Sequence, residues 1–287
     1  MKKNILVVGL TKNSSKTIKS EISVISKAFQ HFSDVKWLVI ESDSRDNTLL
    51  KLMELRDEVP QFCYLSLGSI ADRYPLRTER IAYCRNSYLQ EITNNALYED
   101  VEYVVVADLD GMNVLLTQEG VTSCWANDDW DVCTANQRGP YYDIWALRHN
   151  DWSPNNCWDQ YEFLLKHNMA RKRARFVAVH SRMVDIDERS EWIEVDSAFG
   201  GFAIYRREAL LGARYIGVNE SGEEICEHLS LHQAIKSNGY RIFINPKLIN
   251  TGFNRHTKRF VFRLLRRRAE DMIHALRQGF SINQTPG

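Results

Sequence analysis

The chain has 287 residues, 44% hydrophobic and 26% charged, and its 37 Lys and Arg are balanced by 37 Asp and Glu. That length suits one large domain or two closely joined halves with a real apolar core. The composition excludes a disordered chain, a collagen-like repeat and a disulfide-stapled miniprotein. Zero net charge argues against a general nucleic-acid binder, whose affinity would rest on a basic excess.

No apolar run approaches the ~18 residues that would span a membrane. The N-terminal MKKNILVVGL carries the lysines of a signal peptide, but its apolar stretch stops at Thr11, so it reads as a first buried strand. The six cysteines (63, 84, 124, 133, 157 and 226) form no CxxC pair and no zinc spacing. Lone thiols fit a reducing compartment, and the expectation is a cytoplasmic protein.

In chain order, the pattern predicts a strand over Asn4–Leu10, a helix over Ser14–Phe32, a strand over Val35–Ile40 and a helix over Asn47–Leu55. A strand over Phe62–Leu67, a helix over Thr78–Leu97 and a strand over Val101–Ala107 follow. Repeated β-α units imply a doubly wound, mostly parallel sheet whose ligands lie beyond the carboxyl ends of the strands. After Asp110, strands are expected over Trp130–Arg138 and Tyr141–Arg148. A helix over Cys157–Asn168 should then run into the Arg171-Lys172-Arg173-Ala174-Arg175 cluster. Trp192–Arg206 reads as one strand interrupted by Gly200-Gly201, Glu227–Asn238 as a helix stopped by Gly239, and Tyr240–Asn245 as the last strand.

These elements divide the chain into a regular β-α half (1–115), a mixed half (116–252) and a tail (253–287). From Arg255 to Arg277 the tail carries eight Lys and Arg against two acids, with Val261, Leu264, Leu265, Met272 and Leu276 along one helical face. Such a helix suits either peripheral contact with a membrane or packing on the domain, its arginines pairing with surplus acids.

Chemistry gathers at the predicted strand ends. Asp108 and Asp110, in Ala107-Asp108-Leu109-Asp110-Gly111, sit at i and i+2 and project to one side of an extended chain. Hard oxygen ligands so placed suit Mg²⁺ or Mn²⁺ completed by substrate phosphates, although Asp and Gly also build plain turns. After the second strand, Asp46 or Asn47 serves to cap the next helix. Glu41 and Asp43 lie at the tip, where an acid can accept from a ribose hydroxyl or a base N–H. Val8-Gly9-Leu10-Thr11 lacks the GxGxxG of a dinucleotide site. The third helix carries Arg77, Arg80, Arg85 and Asn86, with Arg77 and Arg85 on its apolar stripe. An arginine there needs an anion, either a bound phosphate or an internal acid such as Asp108.

Taken in order, ESDSRDNT, RIAYCRN, VVVADLDG, SAFGGFAIYRRE and EHLSLHQAIKSNGYRIFINP resemble the GT-A glycosyltransferases across residues 4–256. The stretch Tyr142-Asp143-Ile144-Trp145-Ala146-Leu147-Arg148, together with RIAYCRN, is similar to fungal capsule-associated mannosyltransferases. The GT-A resemblance implies an α/β fold with a Rossmann-like N-terminal half and a mixed acceptor half. It further implies a metal-dependent enzyme moving a sugar from a nucleotide-diphosphate sugar to a saccharide hydroxyl, the acceptor being lipid-linked if the tail meets a membrane. Asp108 and Asp110 would bind Mn²⁺ or Mg²⁺ with His256 completing the shell. Thr11, Glu41, Asp43, Arg77, Arg80, Arg85, Asn86, Asp108, Gly200 and Gly201 would hold the donor. Glu227 and His228 would be catalytic. His228 stands where inverting members usually carry an acidic base; alternatively, Glu227 binds an acceptor hydroxyl in a retaining enzyme. Trp125, Trp130, Trp145, Trp152, Trp158 and Trp192 are candidates to stack on the acceptor.

Two other classes compete. A sugar-phosphate nucleotidyltransferase carries a Gly-rich loop with an arginine after its first strand, which Leu10-Thr11-Lys12-Asn13 lacks. A non-catalytic sugar-binding protein has no need of the two aspartates, the buried arginines and Glu227-His228 together.

Overall fold

A computed structural model describes residues 2–252 and Thr257. The chain divides into two compact units, Met1–Gly252 and Phe253–Gly287. The first is described below; His256 and the basic tail lie outside the described residues.

The N-terminal half alternates β1 (Asn4–Thr11), α1 (Ile18–Ala28), β2 (Asp34–Glu41), α2 (Thr48–Glu58), β3 (Phe62–Ser66), α3 (Arg77–Asn94) and β4 (Tyr103–Asp108). The second half contributes α4 (Gln118–Thr122), β5 (Val132–Gln137), α5 (Cys157–Lys166), α6 (Arg171–Ala178), β6 (Ile193–Val195), β7 (Phe202–Arg206), α7 (Arg207–Leu210), α8 (Glu227–Ser237) and β8 (Ile242–Thr251). All eight strands form one sheet in the order β3-β2-β1-β4-β7-β5-β8-β6. The strands β1 to β4 are mutually parallel, β7 runs against both β4 and β5, β8 is parallel to β5, and β6 is antiparallel to β8. The strands β1, β2, β4, β5 and β8 therefore end at the same edge of the sheet.

Both sheet faces are covered, which is why β1 and β4 are continuous apolar runs. Leu6, Val8, Val104 and Val106 join Tyr88, Leu89 and Ile92 of α3 and Leu231 and Ile235 of α8. The alternate residues Ile5, Val7 and Val105 join Ile18, Ile22 and Ile25 of α1.

Four expectations change. Tyr141–Arg148 is not a strand. Its buried residues fall at Tyr141, Ile144, Ala146 and Leu147, a spacing that fits neither face of a strand. It is a loop tethered by the isolated bridges Pro140 to Asp185 and Arg148 to Ser197. Trp192–Arg206 is two strands in different places: β6 at the sheet edge, β7 between β4 and β5. Gly200 and Gly201, at φ +70° and +87°, reverse the chain between them. The basic cluster is a separate helix, α6, because Asn168 adopts φ +62° and ends the helical turn before it. The last strand also runs on past Pro246, where its register against β5 shifts and the Asn136 side chain donates to the Pro246 carbonyl (3.0 Å).

Candidate active site

The Asp108–Asp110 turn leaves the carboxyl end of β4 and is held from two sides. The Asp108 N–H donates to the Gly201 carbonyl (2.9 Å). Below it, the fully buried Asn113 amide donates to the Asp108 carbonyl (2.7 Å) and to Glu21 Oε2 of α1 (2.8 Å). Asp110 is exposed at the tip of the turn.

Arg85, 5% exposed on α3, stands behind this turn. Its Nη2 lies 3.2 Å from Asp108 Oδ1, and its Nε lies 3.3 Å from Glu227 Oε1 at the start of α8. Phe199 and Tyr215 flank the guanidinium, their ring centroids 5.1 and 5.4 Å from its carbon. The apolar stripe thus places Arg85 correctly, its internal partner being Asp108, but Arg77 is exposed. Arg80 donates from Nη1 to the Tyr74 and Pro75 carbonyls, shaping the approach to α3. The Asn86 amide exchanges two 2.9 Å hydrogen bonds with the Tyr215 backbone. Asn86 therefore anchors the segment carrying Tyr215.

At the tip of β2 the two acids separate in role. Glu41 is 1% exposed, and both oxygens are taken, one by the Ser44 N–H (3.0 Å) and one by the Ser66 hydroxyl (2.5 Å). It organises the loop and does not face a ligand. Asp43 uses Oδ1 to accept from the Ile70 and Ala71 N–H groups (3.0 Å each), while Oδ2 is buried without a partner. Thr11 Oγ1, at the neighbouring tip of β1, is likewise buried and unpartnered.

His228 is 3% exposed, stacked on Phe199 with centroids 3.8 Å apart, and neither ring nitrogen has a hydrogen-bond partner. Burial, with Arg85 and His232 adding to it, holds its pKa well below the usual imidazole range. An imidazole so hard to protonate is a poor proton acceptor. The six tryptophans pack in or against the two core clusters, Trp130 within one of them.

One carboxylate escaped the sequence assignments. Asp143, half-buried in the Tyr141–Arg148 loop, accepts the Gly200 N–H on Oδ2 (3.0 Å). Its only signal was the Tyr-Asp-Ile-Trp stretch, which names no role. Among the described residues, Asp108, Asp110, Asp143 and Glu227 share one electrostatic neighbourhood with Arg85. Burial first, then Asp110, Asp143 and Glu227, push Asp108 up to about 7 against the pull of Arg85.

Among the described residues, no three His, Cys, Asp or Glu side chains converge as a ready metal cluster. Asp108 and Asp110 nonetheless fit a divalent cation. They are hard oxygen donors on one turn, and Mg²⁺ or Mn²⁺ is commonly held by one or two carboxylates plus water and phosphate.

A mostly parallel doubly wound sheet, extended by a mixed half whose antiparallel β7 brings a glycine pair against the acidic turn, is a GT-A-type fold. Among solved structures, a mannosyltransferase from Pyrobaculum calidifontis in complex with GDP-Man and Mn²⁺ superposes with TM-score 0.53 at 15% identity, covering 100% of this chain and 66% of that one. S. aureus TarS in complex with UDP-GlcNAc (TM-score 0.47, 15% identity, 84% of this chain, 55% of that one) is also similar. So is glucosyl-3-phosphoglycerate synthase from Mycobacterium tuberculosis in complex with uridine diphosphate (TM-score 0.42, 12% identity, 87% and 69%). This chain spans just under two thirds of the Pyrobaculum chain's length. No protein-family profile matches the sequence, and no curated protein does.

Proposed function

We propose that this chain is a metal-dependent glycosyltransferase, moving a sugar from a nucleotide-diphosphate sugar to a hydroxyl of a saccharide. The observation that carries the reading is the acidic cluster around Arg85, at the ligand-binding edge of a GT-A-type sheet. Residues 1–115 would bind the donor, 116–252 the acceptor, with 253–287 a separate tail that could meet a lipid-linked acceptor. Among the described residues no helix is long and apolar enough to cross a membrane.

Asp108 and Asp110 would hold Mn²⁺ or Mg²⁺, which when bound neutralises the departing diphosphate. The unpartnered Asp43 Oδ2 and Thr11 Oγ1 supply an acceptor for a base N–H and a hydroxyl for the nucleoside. Arg85 fixes the Asp108 carboxylate and joins it to Glu227, so that both face the donor together. Gly200 and Gly201 let the backbone approach the sugar. A Cβ at Gly200 would stand 2.9 Å from the Ala135 carbonyl oxygen, and one at Gly201 3.0 Å from the Tyr142 hydroxyl. The Mn²⁺ and GDP-Man in the Pyrobaculum complex support this reading.

A melting-temperature panel of nucleoside diphosphates, with and without Mn²⁺, tests it. Selective binding at a hundred times Kd adds about 2.7 kcal/mol to native stability. One base should stand out, and only with metal present. No shift from any nucleotide would oppose the proposal.

A further inference from the structure

We propose that Asp143 accepts the proton of the acceptor hydroxyl, making transfer inverting; this deepens the glycosyl-transfer reading and rests on it. The cluster offers few other bases. Asp108 and Glu227 both lie within 3.3 Å of Arg85, and a carboxylate engaged by a guanidinium is a weaker base. His228 is buried with its ring stacked on Phe199. Asp143 forms no ion pair among the described residues, and it is half-buried in its loop beside Gly200.

Its aim is fixed by the backbone. The Gly200 N–H donates to Oδ2 at 3.0 Å, and the Ala146 N–H also holds the carboxylate. Two donors leave acceptor capacity on a group with about four lone-pair sites. The loop itself is tied down, with the Tyr141 N–H on the Val184 carbonyl (2.8 Å) and the Arg148 N–H on the Ser197 carbonyl (2.7 Å). This is the rigid support a positioned base requires.

The neighbouring space suits an acceptor. A cavity of about 380 Å³ opens at the ends of β5 and β8, with Gln137, Arg138 and Glu188 in its wall. Gln137 Nε2 donates to the Gly200 carbonyl (3.3 Å), and the N–H of that same residue is on Asp143. One residue links the cavity wall to the carboxylate.

In the step, the acceptor O–H gives its proton to Asp143 as its oxygen bonds to the anomeric carbon. The bond from that carbon to the diphosphate breaks, and its electron pair leaves with the nucleoside diphosphate. Attack opposite the leaving group inverts the anomeric centre. Burial raises the Asp143 pKa above the usual carboxylate value, a shift that strengthens a carboxylate as a proton acceptor. The charged and titratable groups facing it are Glu227 and Cys226 at the start of α8, Asp108 of β4, Arg85 of α3, Cys157 of α5, and Tyr141 and Tyr142 of its own loop.

The test uses the full chain, Mn²⁺ and the nucleotide sugar whose diphosphate raises the melting temperature most, with product configuration read by NMR. Inversion is expected. Asp143→Asn should lower kcat by a factor of about 10²–10⁴. It should also remove the acidic limb of the kcat–pH profile while leaving the donor-induced melting shift intact, and Asp143→Glu should restore part of the rate. Retention of configuration, wild-type kcat in Asp143→Asn, or loss of donor binding in that variant would each overturn the assignment. Wild-type protein that transfers sugar from no donor would defeat the glycosyltransferase reading itself, a different failure.

Discussion

Arg85 Nη2 and Asp108 Oδ1, 3.2 Å apart, tie the interior of α3 to the last residue of β4. With Glu227 at 3.3 Å from the same guanidinium, one buried cation joins the N-terminal half to the start of α8. Arg85→Met would leave both carboxylates beside an apolar wall. Breaking a buried pair costs about 3–5 kcal/mol, and the lower end applies because the Asp108 side chain is 39% exposed. Urea denaturation measures this; a loss below about 1 kcal/mol would mean the cluster is solvated.

Gly200 and Gly222 separate conformational strain from crowding. Both have positive φ, +70° and +80°, yet a Cβ at Gly222 meets nothing within 4 Å. Alanine at Gly222 should cost about 1–2 kcal/mol from the left-handed backbone alone. Alanine at Gly200 adds a clash with the Ala135 carbonyl and should cost about 1–3 kcal/mol more. Equal losses in the two variants would show that the glycine loop yields freely.

His232 predicts an acid-sensitive core. Buried between the Ser197 hydroxyl (2.8 Å) and the Tyr205 hydroxyl (2.9 Å), it is depressed to about 3 by burial and then by Arg85. A histidine depressed in the folded state contributes stability above its unfolded pKa near 6.5 and loses it as pH falls toward the folded value, by up to about 1.4 kcal/mol per pH unit. Asp108 and Asp143, raised in the fold, act in the opposite direction, so the comparison must be made against a variant that keeps them. His232→Gln should flatten the fall in stability between pH 6 and 4 by about that slope. Parallel curves for both proteins would contradict it.

If Asp108 holds the cation as proposed, metal binding there competes with a proton. With its pKa near 7, the carboxylate is mostly protonated at pH 6 and mostly ionised at pH 8. Affinity for Mn²⁺ alone should rise about tenfold between those values. Calorimetric titration reads this directly; an affinity independent of pH would place the cation elsewhere.

The N-terminal half was legible because β1, β4 and α3 each state their burial in one periodicity. Arg85 on the apolar stripe of α3 already demanded an anion. The second half was less so. Tyr141–Arg148 is buried without a period, since bridges from Asp185 and Ser197 shape it from afar. Gly200-Gly201 marked an interruption, but nothing local says that the chain leaves one end of the sheet and re-enters its middle. Glu41 and Asp43 look equivalent in sequence; the Ser66 hydroxyl and the Ile70 and Ala71 amides, all from the segment after β3, decide which acid keeps a free oxygen. Asp143 is tied to the glycine pair by the Gly200 N–H, a contact 57 residues away in sequence.

The central claim is that the acidic turn after β4 activates a nucleotide-diphosphate sugar. It is tested most directly by release of nucleoside diphosphate from a panel of such donors, for wild-type protein and Asp110→Asn. Asp110 is exposed at the tip of the turn, so the variant should keep the wild-type melting temperature. The account predicts Mn²⁺-dependent release by the wild type that stops in chelator and falls at least about a hundredfold in Asp110→Asn. Release that persists in chelator, or at the wild-type rate in Asp110→Asn, would contradict it.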